Sequence, residues 1–202
     1  MKARSISHPE RLVDVAAMQA AFSESFAASG SDLVKLRPTL VGILKEYLNT
    51  GRTEAERRLL SDGKGTQCAK HLSYIQDEII HTLYEFLHGK IHAGVAQELA
   101  IIATGGYGRG TLAPGSDIDL LFLLRGKQDE RTGRIIEFIL YTLWDLRLKV
   151  GHATRSTEEC IRLAKTDNTI LTSILEARLI CGNKALSDQM QQAFRRDIVQ
   201  AG

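Results

Sequence analysis

Two aspartates separated by one residue stand at the start of a strongly apolar run. Asp117 and Asp119 flank Ile118, and the run continues to Leu124. In a strand, two such carboxylates share a face about 6–7 Å apart and repel each other by about 2–3 kcal/mol at an effective dielectric of 20. A bound cation would offset that repulsion, and magnesium takes carboxylate oxygens together with water and phosphate oxygens. The pair therefore predicts a metal site, although D-x-D alone also fits a turn residue followed by a strand.

A glycine-rich segment precedes the two aspartates. Five glycines lie between positions 105 and 115. Glycine leaves the backbone free to approach a polyphosphate closely, and exposed N–H groups bind its oxygens. Arg109 lies within the segment and is a candidate for a charge-assisted hydrogen bond to phosphate.

Two other glycine-loop motifs fit this segment less well. A phosphate loop of the GxxxxGK[ST] type needs a lysine, and none follows these glycines. Residues 108–113 match the G-x-G-x-x-A pattern of dinucleotide-binding proteins. Pro114 and Gly115, however, interrupt the helix that such a loop has to open.

Three short segments are predicted to be the strands that position these residues. Leu99–Ala103 and Ile118–Leu124 are apolar runs of the buried-strand type, and Val150–Ser156 is a third candidate. Apolar spacing predicts helices over 131–149, 160–180 and 184–199. Ser156 and Glu159 form a capping box before the second of these helices. Tyr141 and Trp144 follow the apolar period of the first and are predicted to be core residues.

The N-terminal third of the chain is predicted to be helical. Apolar residues recur every three or four positions between 12 and 47. Thr53 and Glu56 predict the start of a short charged helix, which residues 61–65 end. A long amphipathic helix is then predicted over 67–87.

Composition excludes several classes of protein. Lys and Arg number 26 against 24 Asp and Glu, and 44% of the residues are hydrophobic, which is typical of a globular chain with no strong charge for nucleic acid or membrane. The three cysteines form no CxxC, which favours free thiols in a reducing compartment. The first ten residues are polar, and the longest apolar run, 120–124, is too short to span a bilayer. A cytoplasmic protein with neither a nucleic-acid nor a membrane partner is expected.

The segment from 105 to 121 reads G-G-Y-G-R-G-x-L-x-P-x-S-D-I-D-L-L. It resembles the nucleotidyltransferase superfamily that shares the catalytic fold of DNA polymerase β, and in its full length the bacterial PII uridylyltransferase/uridylyl-removing enzymes. Further matches to that family are Leu143-Trp144-Asp145, Val150-Gly151-His152 with Arg155, and Leu175-Glu176-Ala177-Arg178 with Gly182. The resemblance covers residues 70 to 185 and fits the helical N-terminal region as well.

The resemblance implies a polymerase β-like α/β (α+β) fold, with a small mixed sheet surrounded by helices and a helical N-terminal extension. Residues 1–66 would be the helical region and 67–202 the nucleotidyltransferase domain with its C-terminal helices. The family's enzymes continue into a hydrolase domain and glutamine-sensing domains. Since the chain holds no His-Asp dipeptide, it is expected to be a fragment of a longer protein, without the uridylyl-removing activity or the response to glutamine.

The resemblance also implies an activity, which is transfer of UMP from UTP to a tyrosine of the regulatory protein PII with Mg²⁺ or Mn²⁺. Asp117 and Asp119 would be the catalytic metal ligands. Gly105, Gly106 and Ser116 would position the triphosphate, with Arg109 as a neighbour.

One feature of the superfamily is missing from the predicted third strand. The superfamily usually adds a third carboxylate from a later strand, whereas Val150–Ser156 contains no acid. Asp145 is the nearest carboxylate in the sequence. His152 and Arg155 either contact phosphate or base, or only shape the end of the strand.

Two alternative functions stay open at this point. One is a different nucleotidyltransferase, such as an enzyme that adds AMP to a protein or a nucleotide to a small molecule, because the active-site segment does not select the base. The other is a non-catalytic, nucleotide-binding regulatory module. The presence of both Asp117 and Asp119 argues against the second, since binding alone does not need the carboxylate pair.

Overall fold

The computed structural model describes residues 6–29, 32–90 and 98–200. Residues 1–5 of the polar N-terminus lie outside the described residues. After a 3₁₀ turn at Pro9–Arg11 come three helices, α1 (Val15–Ser29), α2 (Leu33–Asp62) and α3 (Gly65–Lys90). The remaining elements are β1 (Leu99–Ala103), α4 (Gly105–Gly108), β2 (Ile118–Leu124), α5 (Glu130–Asp145), β3 (Val150–Ser156), α6 (Thr157–Ala164), α7 (Asn168–Leu175), β4 (Arg178–Gly182) and α8 (Lys184–Phe194), with a final π-helical turn at Arg195–Val199.

The strands form one mixed, four-stranded sheet in the order β3-β2-β1-β4. β1 pairs antiparallel with both β2 and β4, whereas β2 and β3 run parallel. In the parallel pair Asp119 lies opposite Gly151, and Leu120 opposite His152. The predicted α/β fold with a small mixed sheet surrounded by helices is confirmed.

The sheet has a hydrophobic core on each face. Side chains alternate across a strand. In β2, Leu120 and Phe122 belong to one core together with residues of α1, α2, α3 and α5, whereas Leu121 and Leu123 belong to a second core with residues of α6, α7 and α8. The same alternation places Asp119 on the α6–α8 face, at the end of the strand where the apolar core stops. Burial on both faces therefore explains the almost uninterrupted apolar run.

The helix predicted to start at Thr53 is not a separate element. α2 runs without a break from Leu33 to Asp62, and the short-helix prediction is wrong. Leu48 and Ala55 continue one buried stripe past Thr53, and this packing outweighs the local capping signal. The predicted break after residue 61 is confirmed, because Gly63 ends α2 in the left-handed conformation.

The helix predicted over 160–180 is also wrong as a single element. The segment forms α6, α7 and then strand β4. Asp167 starts α7 by accepting hydrogen bonds from the backbone N–H groups of Thr169 and Ile170. The capping box predicted at Ser156 and Glu159 is confirmed at the start of α6.

All three cysteines are buried and unpaired. Burial raises the pKa of the Cys160 thiol to about 11. Among the described helices, none combines the length and the apolar character needed to cross a membrane. The predicted boundary between residues 66 and 67 falls in the first turn of α3 and stays a prediction.

Candidate active site

The glycine-rich segment follows β1 directly and is held against β2. The N–H of Thr104 donates to the backbone oxygen of Asp119 over 3.0 Å. The next residues form the single turn α4, from Gly105 to Gly108. The segment between the two strands thus begins beside the carboxylate that the sequence singled out.

The carboxylate of Asp119 lies between two glycine backbones. A Cβ built on Gly105 would lie 3.2 Å from Oδ2, and one built on Gly151 would lie 2.5 Å from Oδ1. Gly105 also has a φ of 55°, which L-residues with side chains rarely adopt. Glycine at both positions therefore leaves room for the carboxylate.

The electrostatics of this carboxylate favour a bound cation. Burial, reinforced by the charge of Asp117, raises the pKa of Asp119 above its ordinary value of 3.8. Asp117 itself is exposed in the segment before β2. Neither aspartate forms an ion pair with a described side chain. The uncompensated pair supports the predicted role of both residues as metal ligands, which stays a prediction.

A cavity of about 350 Å³ opens in front of Asp119. Gly105, Asp119 and Gly151 form one wall, and α7 forms the opposite wall with Thr169, Thr172 and Ser173. Arg155 also lines the cavity, and no carboxylate of the described residues pairs with it. The volume suits a small-molecule ligand. The lining combines the carboxylates of Asp119 and Glu176, a hydroxyl-rich wall and one cation.

Sequence reasoning did not single out the role of Glu176, which lies at this cavity. Its two carboxylate oxygens accept from Nη1 of Arg109 at 2.7 Å each. The Arg109 guanidinium is close to the glycine segment as well, since a Cβ on Gly106 would lie 3.4 Å from its Nη2. Arg109, predicted to contact phosphate, therefore has a carboxylate partner. Only the match of Leu175–Arg178 to the family marked this region in the sequence.

A partly buried network of hydrogen bonds joins α4 to α3 and β4. The hydroxyl of Tyr107 donates to Asp77 over 2.6 Å, and Nη1 of Arg178 donates to the same carboxylate over 2.7 Å. Nη2 of Arg178 also donates to the backbone oxygen of Tyr107. Burial, together with the Asp77 charge, raises the pKa of Tyr107 well above its usual range. The network connects α3, α4 and β4 and fixes the position of the glycine segment.

The residues that line the cavity do not include Asp117, Gly106 or Arg109, although each lies within two residues of a lining residue or pairs with one. Two other predicted site residues have different surroundings. Ser116 is exposed in the turn before β2 and lines a separate, smaller cavity with Leu48 and Leu148. Asp145 is exposed at the end of α5 and forms an ion pair with Arg37, with 3.2 Å between Oδ2 and Nε. Neither lines the cavity in front of Asp119. Their roles as triphosphate contact and third carboxylate stay predictions.

The prediction that Tyr141 and Trp144 are core residues is wrong. Tyr141 is 48% exposed and Trp144 is 43% exposed. Both lie on the side of α5 that turns away from its buried residues, such as Ile139 and Leu143. The buried stripe of α5 is present as predicted, but these two aromatic side chains lie outside it. The ring of Trp144 contacts the ring of His152, with 6.0 Å between their centroids.

The donor set fits a divalent cation shared with a ligand. No cluster of three or more His, Cys, Asp or Glu side chains suited to a metal occurs in the described part of the chain. Two carboxylates leave the remaining positions of an octahedral ion to water and phosphate oxygens, as Mg²⁺ prefers. The cavity in front of Asp119 has space for such an ion and its ligand.

Comparison with known proteins identifies the class of domain. Residues 93–181 match the nucleotidyltransferase domain family. The match includes β1, the glycine segment, both aspartates and β3. The chain therefore contains a nucleotidyltransferase domain, which is an enzyme domain.

A curated relative narrows the class further. Over 176 residues, or 85% of this chain, the sequence is 46% identical to the bifunctional uridylyltransferase/uridylyl-removing enzyme of Rhodopseudomonas palustris. The match spans 19% of the length of that protein. This similarity confirms the family resemblance seen in the 105–121 segment.

Proposed function

We propose that the chain transfers UMP from UTP to a tyrosine of a PII-family regulatory protein, with Mg²⁺ or Mn²⁺ as cofactor. The tyrosine oxygen would form a bond to the α-phosphorus of UTP, the bond from that phosphorus to the bridging oxygen would break, and pyrophosphate would leave. The observation that carries the proposal is the 46% identity to a uridylyltransferase across the segment that holds Asp117 and Asp119.

Divalent cations supply charge neutralisation for the triphosphate and lower the pKa of an attacking hydroxyl. Asp117 and Asp119 would hold such an ion. Asp119 is suited to this because its carboxylate is half-buried, has no ion-pair partner among the described residues and lies at the wall of the cavity.

Other residues of the cavity would bind and orient the nucleotide. The backbone at Gly105 and Gly106 would approach the triphosphate, as predicted from the sequence. Arg155 is a cation in the cavity without a carboxylate partner among the described residues, so we assign it to a phosphate group. Glu176 would keep Arg109 oriented beside the glycine segment through the ion pair at 2.7 Å.

Nucleotide titration followed by a transfer assay tests the proposal. Calorimetry with UTP, ATP, CTP and GTP, each with and without Mg²⁺, is expected to show UTP as the tightest ligand and only when Mg²⁺ is present. Transfer of labelled UMP to a PII-family protein is then expected to require both.

Asp119→Asn provides the matched control, because it keeps the size of the side chain and removes the charge. It is expected to abolish transfer while the fold stays intact. Tighter binding of ATP than of UTP would instead identify an adenylyl-transferring enzyme. Binding without any transfer would favour a regulatory nucleotide-binding module.

We expect the protein to act in the cytoplasm, which agrees with its unpaired thiols.

A further inference from the structure

Two large aromatic side chains are exposed on α5, and one of them contacts a residue that lines the cavity. Tyr141 and Trp144 meet edge to face, with 5.6 Å between their ring centroids. Trp144 contacts the ring of His152 in a similar way. We call Tyr141, Trp144 and His152 the aromatic ledge.

Contacts with Arg37 and the packing of α5 in the core hold the aromatic ledge in place. The guanidinium of Arg37 lies 5.4 Å from the ring centroid of Tyr141, and its Nε pairs with Asp145. The opposite side of α5 is fixed in the core, where Ile139 and Leu143 are fully buried. Rings held in this way lose little conformational freedom when a partner binds, which favours affinity.

The aromatic ledge is continuous with the candidate active site. His152 contacts Trp144 and also lines the cavity that contains Asp119. Its neighbour Gly151 lies directly against the Asp119 carboxylate. β3 is an edge strand of the sheet. A polypeptide bound to the ledge could therefore pass His152 around this edge and carry a side chain to Asp119.

The charges next to the aromatic ledge indicate what kind of polypeptide it suits. Arg147 and Lys149 lie in the turn between Trp144 and His152, and both are exposed. Neither has a carboxylate partner in the ranges that the structure describes. Two uncompensated cations favour a partner that brings carboxylates.

We propose that the aromatic ledge binds the protein acceptor of nucleotidyl transfer, through an acidic segment next to the acceptor hydroxyl. This inference rests on the proposed function. Trp, Tyr and Arg are the residue types that carry most of the energy at protein interfaces. A nucleotide in the cavity leaves Tyr141 and Trp144 accessible, because Asp119 faces α6–α8 whereas these two side chains belong to α5 on the other side of the sheet.

Kinetics with the acceptor concentration varied test the assignment. Trp144→Ala is expected to raise the KM for a PII-family acceptor about tenfold or more. The affinity for UTP with Mg²⁺ and the rate at saturating acceptor are expected to stay unchanged. Trp144→Phe keeps an aromatic ring and is expected to retain most of the acceptor affinity. Leu60→Ala, at an 80% exposed position of α2, is the matched control and is expected to change neither constant.

Charge and fluorescence provide two further readouts. Replacing Arg147 and Lys149 together by glutamate is expected to raise the acceptor KM at low ionic strength, and the effect should shrink as salt screens the charges. Trp144 is the single tryptophan of the chain. Its emission is expected to shift when an acceptor that contains no tryptophan is added, and to stay constant with UTP and Mg²⁺ alone.

The outcomes separate failure of this inference from failure of the proposed function. An unchanged acceptor KM in Trp144→Ala, with UTP binding intact, would overturn the assignment of the ledge. If Trp144→Ala instead altered only the oligomeric state, the ledge would be a contact between copies of the chain, and the assignment would also be wrong. Absence of UTP binding in the unmodified chain would refute the proposed function itself.

Discussion

At the scale of single residues, Asp119 combines two features that oppose folding in the absence of a cation. Its carboxylate is half-buried, and the charge of Asp117 adds to the burial in raising its pKa above 3.8. Between 3.8 and the raised value the folded protein binds more protons than the unfolded chain, so the free energy of unfolding falls as the pH rises through this window. Above the window the loss is complete and constant.

Asp119→Asn is therefore expected to be as stable as the unmodified chain, or more stable, at pH 7 in the presence of a chelator. The difference in the free energy of unfolding between the variant and the unmodified chain should decrease as the pH falls below the window, since protonated Asp119 is also neutral. Urea unfolding at a series of pH values measures it. Added Mg²⁺ is expected to stabilise the unmodified chain and not the variant; a variant that is much less stable at neutral pH would contradict the electrostatic interpretation.

Gly151 offers a second test at the residue scale. A Cβ there would lie 2.5 Å from Oδ1 of Asp119, too close for the carboxylate to keep its place. Gly151→Ala is expected to abolish transfer or to raise the Mg²⁺ concentration needed for half-maximal activity at least tenfold. Gly126→Ala is the control, because nothing lies within 4 Å of its built Cβ. Equal transfer activity of the two variants would show that transfer does not depend on the position of the Asp119 carboxylate.

At the scale of elements, the Asp77 network determines where α4 lies. Removing Asp77 would leave the guanidinium of Arg178, with 14% of its side chain exposed, without its counter-charge. Asp77→Asn is expected to lower the free energy of unfolding by about 3 kcal/mol. Tyr107→Phe is expected to lower it by about 1.5–3 kcal/mol, because it removes a hydrogen bond to a charged group.

Both variants should also raise the KM for nucleotide, because α4 carries the glycine segment. Glu130→Gln removes an ion pair whose side chains are 62% and 78% exposed, and it is expected to cost less than about 1 kcal/mol. If Asp77→Asn were as mild as this control, the network would not be what holds α4. Denaturant unfolding measures the loss of stability in each variant, and nucleotide titration measures the change in nucleotide affinity.

The elements differ in how far the sequence alone predicts them. β1, β2 and β3 have the bounds that the sequence predicts. For β1 and β2 the reason is that a short apolar run next to glycine has few other ways to bury both faces. β3 is a partly exposed edge strand of mixed composition, and only its short length between two predicted helices indicates a strand. β4 was missed, since Arg178–Gly182 becomes a strand only by pairing with the edge of β1. The pairing of Glu176 with Arg109 joins residues 67 positions apart, and no local spacing encodes such a contact.

At the scale of the whole molecule, the helical N-terminal region and the sheet share one hydrophobic core. Leu36, Leu40 and Leu44 of α2 are fully buried in the same cluster as Ile101 of β1 and Phe122 of β2. Each buried leucine contributes about 1.5–3 kcal/mol relative to an exposed one. Residues from before position 67 thus extend the core on this side of the sheet, where α1 and α2 pack on α3 and α5.

The chain is therefore expected to unfold in one cooperative transition, and residues 67–202 alone are expected not to reach the native fold. Loss of α1 and α2 would expose buried residues of α3 such as Ile75 and Ile79, and a domain of this size has only a small margin of stability to lose. Calorimetry of the whole chain, and near-ultraviolet circular dichroism of the 67–202 fragment, measure the two expectations. A fragment with native-like near-ultraviolet signal and unchanged affinity for UTP would show that residues 1–66 form an independent unit, whereas two separate calorimetric transitions would place a domain boundary inside the shared core.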